Sequence, residues 1–104
     1  MSGDAIDPLL HAPARLQIAA ALARVDEIEF AILKEIAEVS DSVLSKHLSA
    51  LTEADYVKLR KAKSDGRQRT WAAMTKQGKT AFNRHMKALH ALVDTAQAAA
   101  EAAQ

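Results

Sequence analysis

Two stretches of this 104-residue chain carry side chains whose type and spacing could do chemistry on a charged partner. Between positions 58 and 69, Lys58, Arg60, Lys61, Lys63, Arg67 and Arg69 place six of the fourteen basic residues against the single acid Asp65. Cations at that density attract a polyanion if the fold gathers them on one side. Upstream, Ser40, Asp41, Ser42, Val43, Ser45, Lys46 and Ser49 form a run of small, hydrogen-bonding positions interrupted by one cation. A surface of that kind can approach base edges closely.

Other chemistries find little support. Ser45, Asp41 and His47 could be strung into a triad, but on a helix Ser45 and Asp41 share a face that His47 does not, and no glycine-rich elbow accompanies them. Of the four histidines, His11, His47, His85 and His90, the last two are five positions apart, which is off the three-or-four spacing of one helical face. They read as structural or solvent-facing; His47, beside Lys46, could touch a phosphate, with packing where its helix meets the following hairpin as the favoured reading. With no cysteine there is no disulfide, thiolate or Cys-based zinc site, and Gly3, Gly66 and Gly78 make no phosphate-cradling motif. No catalytic residue, metal or cofactor is expected, and the chain reads as a non-enzyme.

The net charge of +1 conceals a strong asymmetry: residues 1–45 carry −5, residues 46–87 carry +8 and residues 88–104 carry −2. Charged side chains break up the first thirty positions, and no apolar stretch approaches the roughly 18 residues of a membrane span. A cytoplasmic protein without signal peptide or anchor is expected. Ala, Leu, Val and Ile dominate the hydrophobic residues, which favours helices packed on helices.

The elements that must position the two stretches follow from caps and periodicity. Asp7-Pro8 is an N-cap followed by proline at the first helical position, and Pro13 restarts the helix, so the main first helix is expected over about 13–24. Residues 26–30 alternate as a minimal strand or an extended link. A second helix buries Phe30, Leu33, Ile36 and Ala37 and ends near Glu38. Ser40 caps a third helix over about 41–53, with Leu44, His47 or Leu48, and Leu51 as its buried stripe. Residues 56–61 and 69–74 read as strands joined through Asp65-Gly66, a hairpin signal. Thr75 caps a last helix in which Phe82, Met86, Leu89, Val93, Ala96 and Ala100 step by 4, 3, 4, 3 and 4, with fraying expected beyond Ala96.

That order describes a mainly α winged helix-turn-helix with a small β-hairpin wing and a long C-terminal helix, divided into residues 1–75 for DNA binding and 76–104 for dimerisation. In this design the third helix enters a major groove about 12 Å wide. The wing reaches across the phosphate backbone. Expected DNA-contacting residues are Ser40, Asp41, Ser42, Val43, Ser45, Lys46 and Ser49 on the helix and Arg60, Lys63, Arg67 and Arg69 on the wing, Arg67 and Arg69 being the best placed for a minor groove. Expected self-association residues are Leu9, Phe82, Met86, Leu89, Leu92, Val93 and Ala96, with Leu10 as an additional contact.

The segments His11 to Ile18, Leu44-Ser45-Lys46-His47-Leu48-Ser49-Ala50-Leu51, Ala54-Asp55-Tyr56-Val57 and Thr75-Lys76-Gln77-Gly78-Lys79 resemble, in order, the signatures of compact MarR/ArsR-type winged-helix transcriptional regulators. The resemblance implies a homodimer on a pseudo-palindromic operator in double-stranded DNA, the third helix reading it. By the same analogy a small-molecule effector could sit between the long helix and the DNA-binding core, where no residue is assigned to it. Two departures stand out: Asp55 occupies a position where glycine is more common, and the metal-sensing cysteines of many ArsR-type proteins are absent. The reading is therefore a homodimeric regulator, with repression by promoter occlusion as its simplest mechanism. Its rivals are a winged-helix protein-interaction module and a sequence-independent architectural DNA binder.

Overall fold

The computed structural model describes residues 5–104, so the first four positions of the unit expected over 1–75 lie outside it. The elements are α1 (Pro8–His11), α2 (Pro13–Leu22), β1 (Ile28–Glu29), α3 (Phe30–Ala37), α4 (Asp41–Glu53), β2 (Val57–Ser64), β3 (Arg67–Met74) and α5 (Lys76–Ala102). Asp7 caps α1 by accepting the Leu9 N–H at 2.9 Å, and each of α1 and α2 starts on proline. Helix α2 ends at Leu22, two residues short of the expected boundary.

The core is made where α2, α3 and α4 meet the inner face of the sheet: Leu10, Ile18, Leu22, Leu33, Leu44, Leu51 and Val57 are wholly or almost wholly buried. Burying a leucine of this kind stabilises the fold by about 1.5–3 kcal/mol. Two assignments change as a result. Leu10 is fully buried within the fold and is no surface contact. Ile36 is 40% exposed, because α3 turns Leu33 and Ala37 inward and leaves Ile32 and Ile36 on its outer side. On α4 the stripe is Leu44, Leu48 and Leu51, which leaves His47 half-buried at its edge.

The sheet has three strands in the order β1-β3-β2, since the short strand expected near 26–30 pairs with β3 through Ile28↔Ala72 and Glu29↔Trp71. The hairpin strands run right up to a two-residue turn at Asp65-Gly66, longer than alternation alone suggests. Both turn residues have positive φ, 53° and 76°, the signature of a turn whose twist matches the strands it joins. No helix among the described residues is long and apolar enough to cross a membrane.

Two left-handed residues end helices. Asp55, at φ 61°, completes a reciprocal pair of closing bonds at the end of α4, Tyr56 N–H to the Leu51 carbonyl at 2.9 Å and Asp55 N–H to the Thr52 carbonyl at 3.0 Å. An aspartate therefore does the work that glycine commonly does. Glu38, at φ 53°, ends α3 in the same conformation and allows the sharp turn into α4.

Helix α5 opens with Thr75 accepting the Gly78 N–H at 2.9 Å, and Gly78 lies against the start of β2. A Cβ at Gly78 would stand 2.1 Å from the Tyr56 carbonyl oxygen. From there the helix runs unbroken to Ala102, past the fraying expected after Ala96. Alanine's high helix propensity accounts for the continuation. Its 27 residues, about 40 Å long, carry it beyond the body and stretch the molecule to 62 × 25 × 20 Å.

Candidate nucleic-acid interface

Helix α4 is held at its N-terminus by the Ser40 side chain, which accepts the Val43 N–H at 3.2 Å. The Ser40 and Ser42 hydroxyls lie 3.2 Å apart. Asp41 sits in the first turn, where the helix dipole favours a carboxylate, and pairs with Lys34 of α3 at 2.9 Å across the connecting turn. With Leu44, Leu48 and Leu51 turned inward, Ser40, Asp41, Ser42, Val43, Ser45, Lys46 and Ser49 are all exposed. The structure thus gathers every residue singled out on this helix onto its solvent side.

His47 borders this surface but belongs to a different contact from the one expected. Its Nδ1 accepts the Arg15 Nε–H at 3.1 Å, tying α4 to α2 rather than to the hairpin. Partial burial, reinforced by the Arg15 charge, depresses its pKa. A nitrogen that accepts from a guanidinium also requires the neutral ring.

The wing behaves differently. Paired residues of β2 and β3 share a face, so Val57, Leu59, Lys61 and Lys63 lie on the core-facing side with Ala72 and Met74. Lys58 and Arg60 lie on the outer side with Arg67, Arg69, Trp71 and Ala73. Lys63 and Arg67 are exposed beside the turn and make no ion pair among the described residues. Arg60 and Arg69, by contrast, are engaged. Arg60 grips Glu27 through two nitrogens, its Nε–H donating at 3.1 Å, while its guanidinium carbon stands 4.3 Å from the Trp71 ring centroid. The hydrogen bond from Arg60 holds the Glu27 carboxyl below its ordinary pKa. Arg69 donates to Glu29 of β1 at 2.9 Å, and its buried Nε–H finds no acceptor among the described residues. Glu27 and Glu29 escaped the sequence reading, although their alternation across residues 26–30 beside a basic hairpin is the signal that could have found them.

A third cluster lies where α1 meets α5. The His85 ring is fully buried, accepts the Asp7 backbone N–H at Nδ1 at 2.9 Å and meets the His11 ring edge-on at 5.6 Å. The Tyr56 hydroxyl donates to the Asp7 carboxylate at 2.8 Å, which raises the phenol's pKa. Burial first, then the His11 charge, lowers the His85 pKa, against the opposing pull of Asp7.

Of the seam on α5, Phe82, Met86 and Leu89 are half-buried, as is Leu9 of α1. Further along, Leu92 is 61% and Val93 51% exposed, followed by an exposed Ala96. From His90 onward every residue of the helix is exposed.

A three-helix core closed by a three-stranded sheet, with a capped helix after a tight turn and a two-residue basic hairpin, defines a winged helix-turn-helix. The chain belongs to the winged helix DNA-binding domain family, whose match covers residues 14–93. It is 31% identical over 78 residues to an uncharacterized protein of Methanocaldococcus jannaschii, an alignment covering 75% of this chain and 85% of that one. Among solved structures, a transcriptional regulator homologue from Pyrococcus horikoshii OT3 superposes with TM-score 0.78 at 26% identity, covering 84% of this chain and 86% of the other. A MarR-family transcriptional regulator from Silicibacter pomeroyi gives TM-score 0.64 at 25% identity, over 84% of this chain and 57% of that one.

Proposed function

We propose that this protein is a sequence-specific double-stranded DNA-binding regulator that acts as a homodimer, with α4 as reader and the wing as clamp. The observation carrying this reading is the clean division of α4: Ser42, Val43, Ser45, Lys46 and Ser49 face solvent while three leucines on the opposite side are buried. Small hydroxyls and one cation suit hydrogen bonding to base edges in the major groove. Lys63 and Arg67 beside the turn supply phosphate or minor-groove contacts.

The exposed stripe of Leu92, Val93 and Ala96 supports self-association through α5, since an apolar row projecting from a small body is better covered than left in water. A two-fold pair of reading helices would then address half-sites about 34 Å apart. Repression by occluding a promoter is the simplest mode of action for such a dimer.

The test is a fluorescence-anisotropy titration, across several salt concentrations, on a fragment of the protein's own promoter region and on an unrelated duplex of equal length. Preferential, salt-sensitive binding to its own fragment supports the regulator. Equal binding to both indicates an architectural role. Absence of binding to either at low salt overturns the DNA-binding reading.

A further inference from the structure

The outer face of the wing carries three arginines in one row. Arg67 pairs in the ladder with Ser64, Arg69 with Ala62 and Arg60 with Trp71, so their side chains leave the same side of the sheet on successive rungs of that face. Only Arg67, nearest the turn, lacks a carboxylate partner among the described residues. The other two meet acids delivered by β1 and the residues just before it. We infer that Glu27 and Glu29 are specificity-determining residues that latch Arg60 and Arg69 and hold down sequence-independent binding to DNA. This rests on the DNA-binding reading above and adds to it a role for two acids on the wing.

Three observations carry the inference. First, the latch changes the charge the wing presents: counted with Glu27 and Glu29, the six cations of residues 58–69 leave a surplus of three instead of five. Sequence-independent affinity comes almost wholly from phosphate contacts by such cations, so the two acids act on that part of the affinity above all.

Second, the latch can open. The side chains of Glu27 and Arg60 are 35% and 52% exposed, so water and a competing anion can reach the pair. Arg60 lines a hollow of about 480 Å³ on the outer sheet face, bordered by Asp26, Lys58, Trp71 and Ala73, which leaves room for its guanidinium to move. Arg69 keeps an Nε–H without an acceptor among the described residues while bound to Glu29, so it gives up an incomplete arrangement when it leaves. A phosphate backbone can replace each carboxylate with an anion of matching geometry.

Third, opening has a cost that depends on the partner. Each arginine that turns to a phosphate leaves a carboxylate beside a polyanion. Unrelated DNA, gripped by phosphate contacts alone, has nothing to offset this; a preferred sequence also gains the contacts of α4.

The test uses the full-length protein, comparing wild type with Glu27→Gln, Glu29→Gln and the double variant on an unrelated duplex and on a preferred fragment over a range of salt. Expected is tighter binding of the variants to the unrelated duplex and a smaller ratio between the two duplexes. The salt dependence should steepen by about one contact per released arginine, so that the loss between about 50 and about 200 mM salt becomes roughly fourfold larger for each. Emission from Trp71, the one tryptophan of the chain, should change when the wild type is saturated with duplex, because Arg60 leaves the ring. Wild-type binding with variant slopes unchanged or shallower overturns the latch and leaves the regulator reading standing. Wild type that binds no duplex overturns both.

Discussion

Helix α4 and the wing, the two surfaces proposed to meet DNA, are secured by opposite means. Helix α4 is secured from behind and at its end, through buried leucines and the Ser40 cap, and apart from the Lys34–Asp41 pair and the Ser40–Ser42 hydroxyl contact at its first turn its exposed side chains have no side-chain partner among the described residues. The wing outer face is secured through its functional side chains themselves, with Arg60 and Arg69 clamped by Glu27 and Glu29. A helix can hide its anchors because its period separates faces by side chains three and four apart. A hairpin beyond the core has no buried face at its outer end, so its charged side chains are available as struts. The difference teaches that exposure alone marks the free side chains on the helix, whereas on the wing pairing has to be known as well.

Both regions depend on one frame, and the largest expected effect comes from breaking it. Gly78→Ala forces a methyl group against the Tyr56 carbonyl and Met74, displacing α5 from the start of the wing. A destabilisation of about 3 kcal/mol is expected, seen as a lower thermal midpoint by circular dichroism. A midpoint matching wild type would show that the junction yields.

The comparison sharpens with one substitution on each side. Lys46→Ala or Ser42→Ala should change which base pairs are preferred, by about 1–3 kcal/mol at the affected position, measured on a panel of single-site variants of the preferred fragment. Arg67→Ala should weaken binding to every duplex alike and flatten the salt dependence by about one contact. If the two swap behaviours, the assignment of reader and clamp is reversed.

A smaller effect concerns the strut between α1 and α5. His85 must be neutral to accept the Asp7 N–H, and its folded pKa lies below its ordinary value. Its neutral form is therefore favoured by folding. The corresponding stability is present at pH above about 6.5, the unfolded value, and falls as pH drops below it. Thermal midpoints should decline between about pH 7 and about pH 5, and His85→Gln should flatten that decline; an unchanged slope would mean that another group titrates.

The smallest expected effect is a gain. Glu38 holds a left-handed conformation that costs an ordinary residue about 1 kcal/mol, so Glu38→Gly should raise stability by roughly half that to all of it. Asp55→Gly should gain less, because aspartate tolerates that conformation better. Chemical denaturation resolves the order.

Much of this protein was legible without coordinates, and the reason is local. Caps such as Asp7, Ser40 and Thr75 act within three residues, the leucine spacing of α4 marks its buried side, and Asp65-Gly66 encodes its own turn. Where the sequence reading failed, the deciding partner was distant. Whether Ile36 or Leu10 is buried depended on what packs against α3 and α1, and His47 went to Arg15, 32 residues away, instead of the hairpin. The clamps on Arg60 and Arg69 span 33 and 40 residues, and the Asp7–His85 strut spans 78. Periodicity reports which way a side chain points along its own element; only the tertiary structure decides what waits there, because that follows from how separate elements are stacked to bury the core.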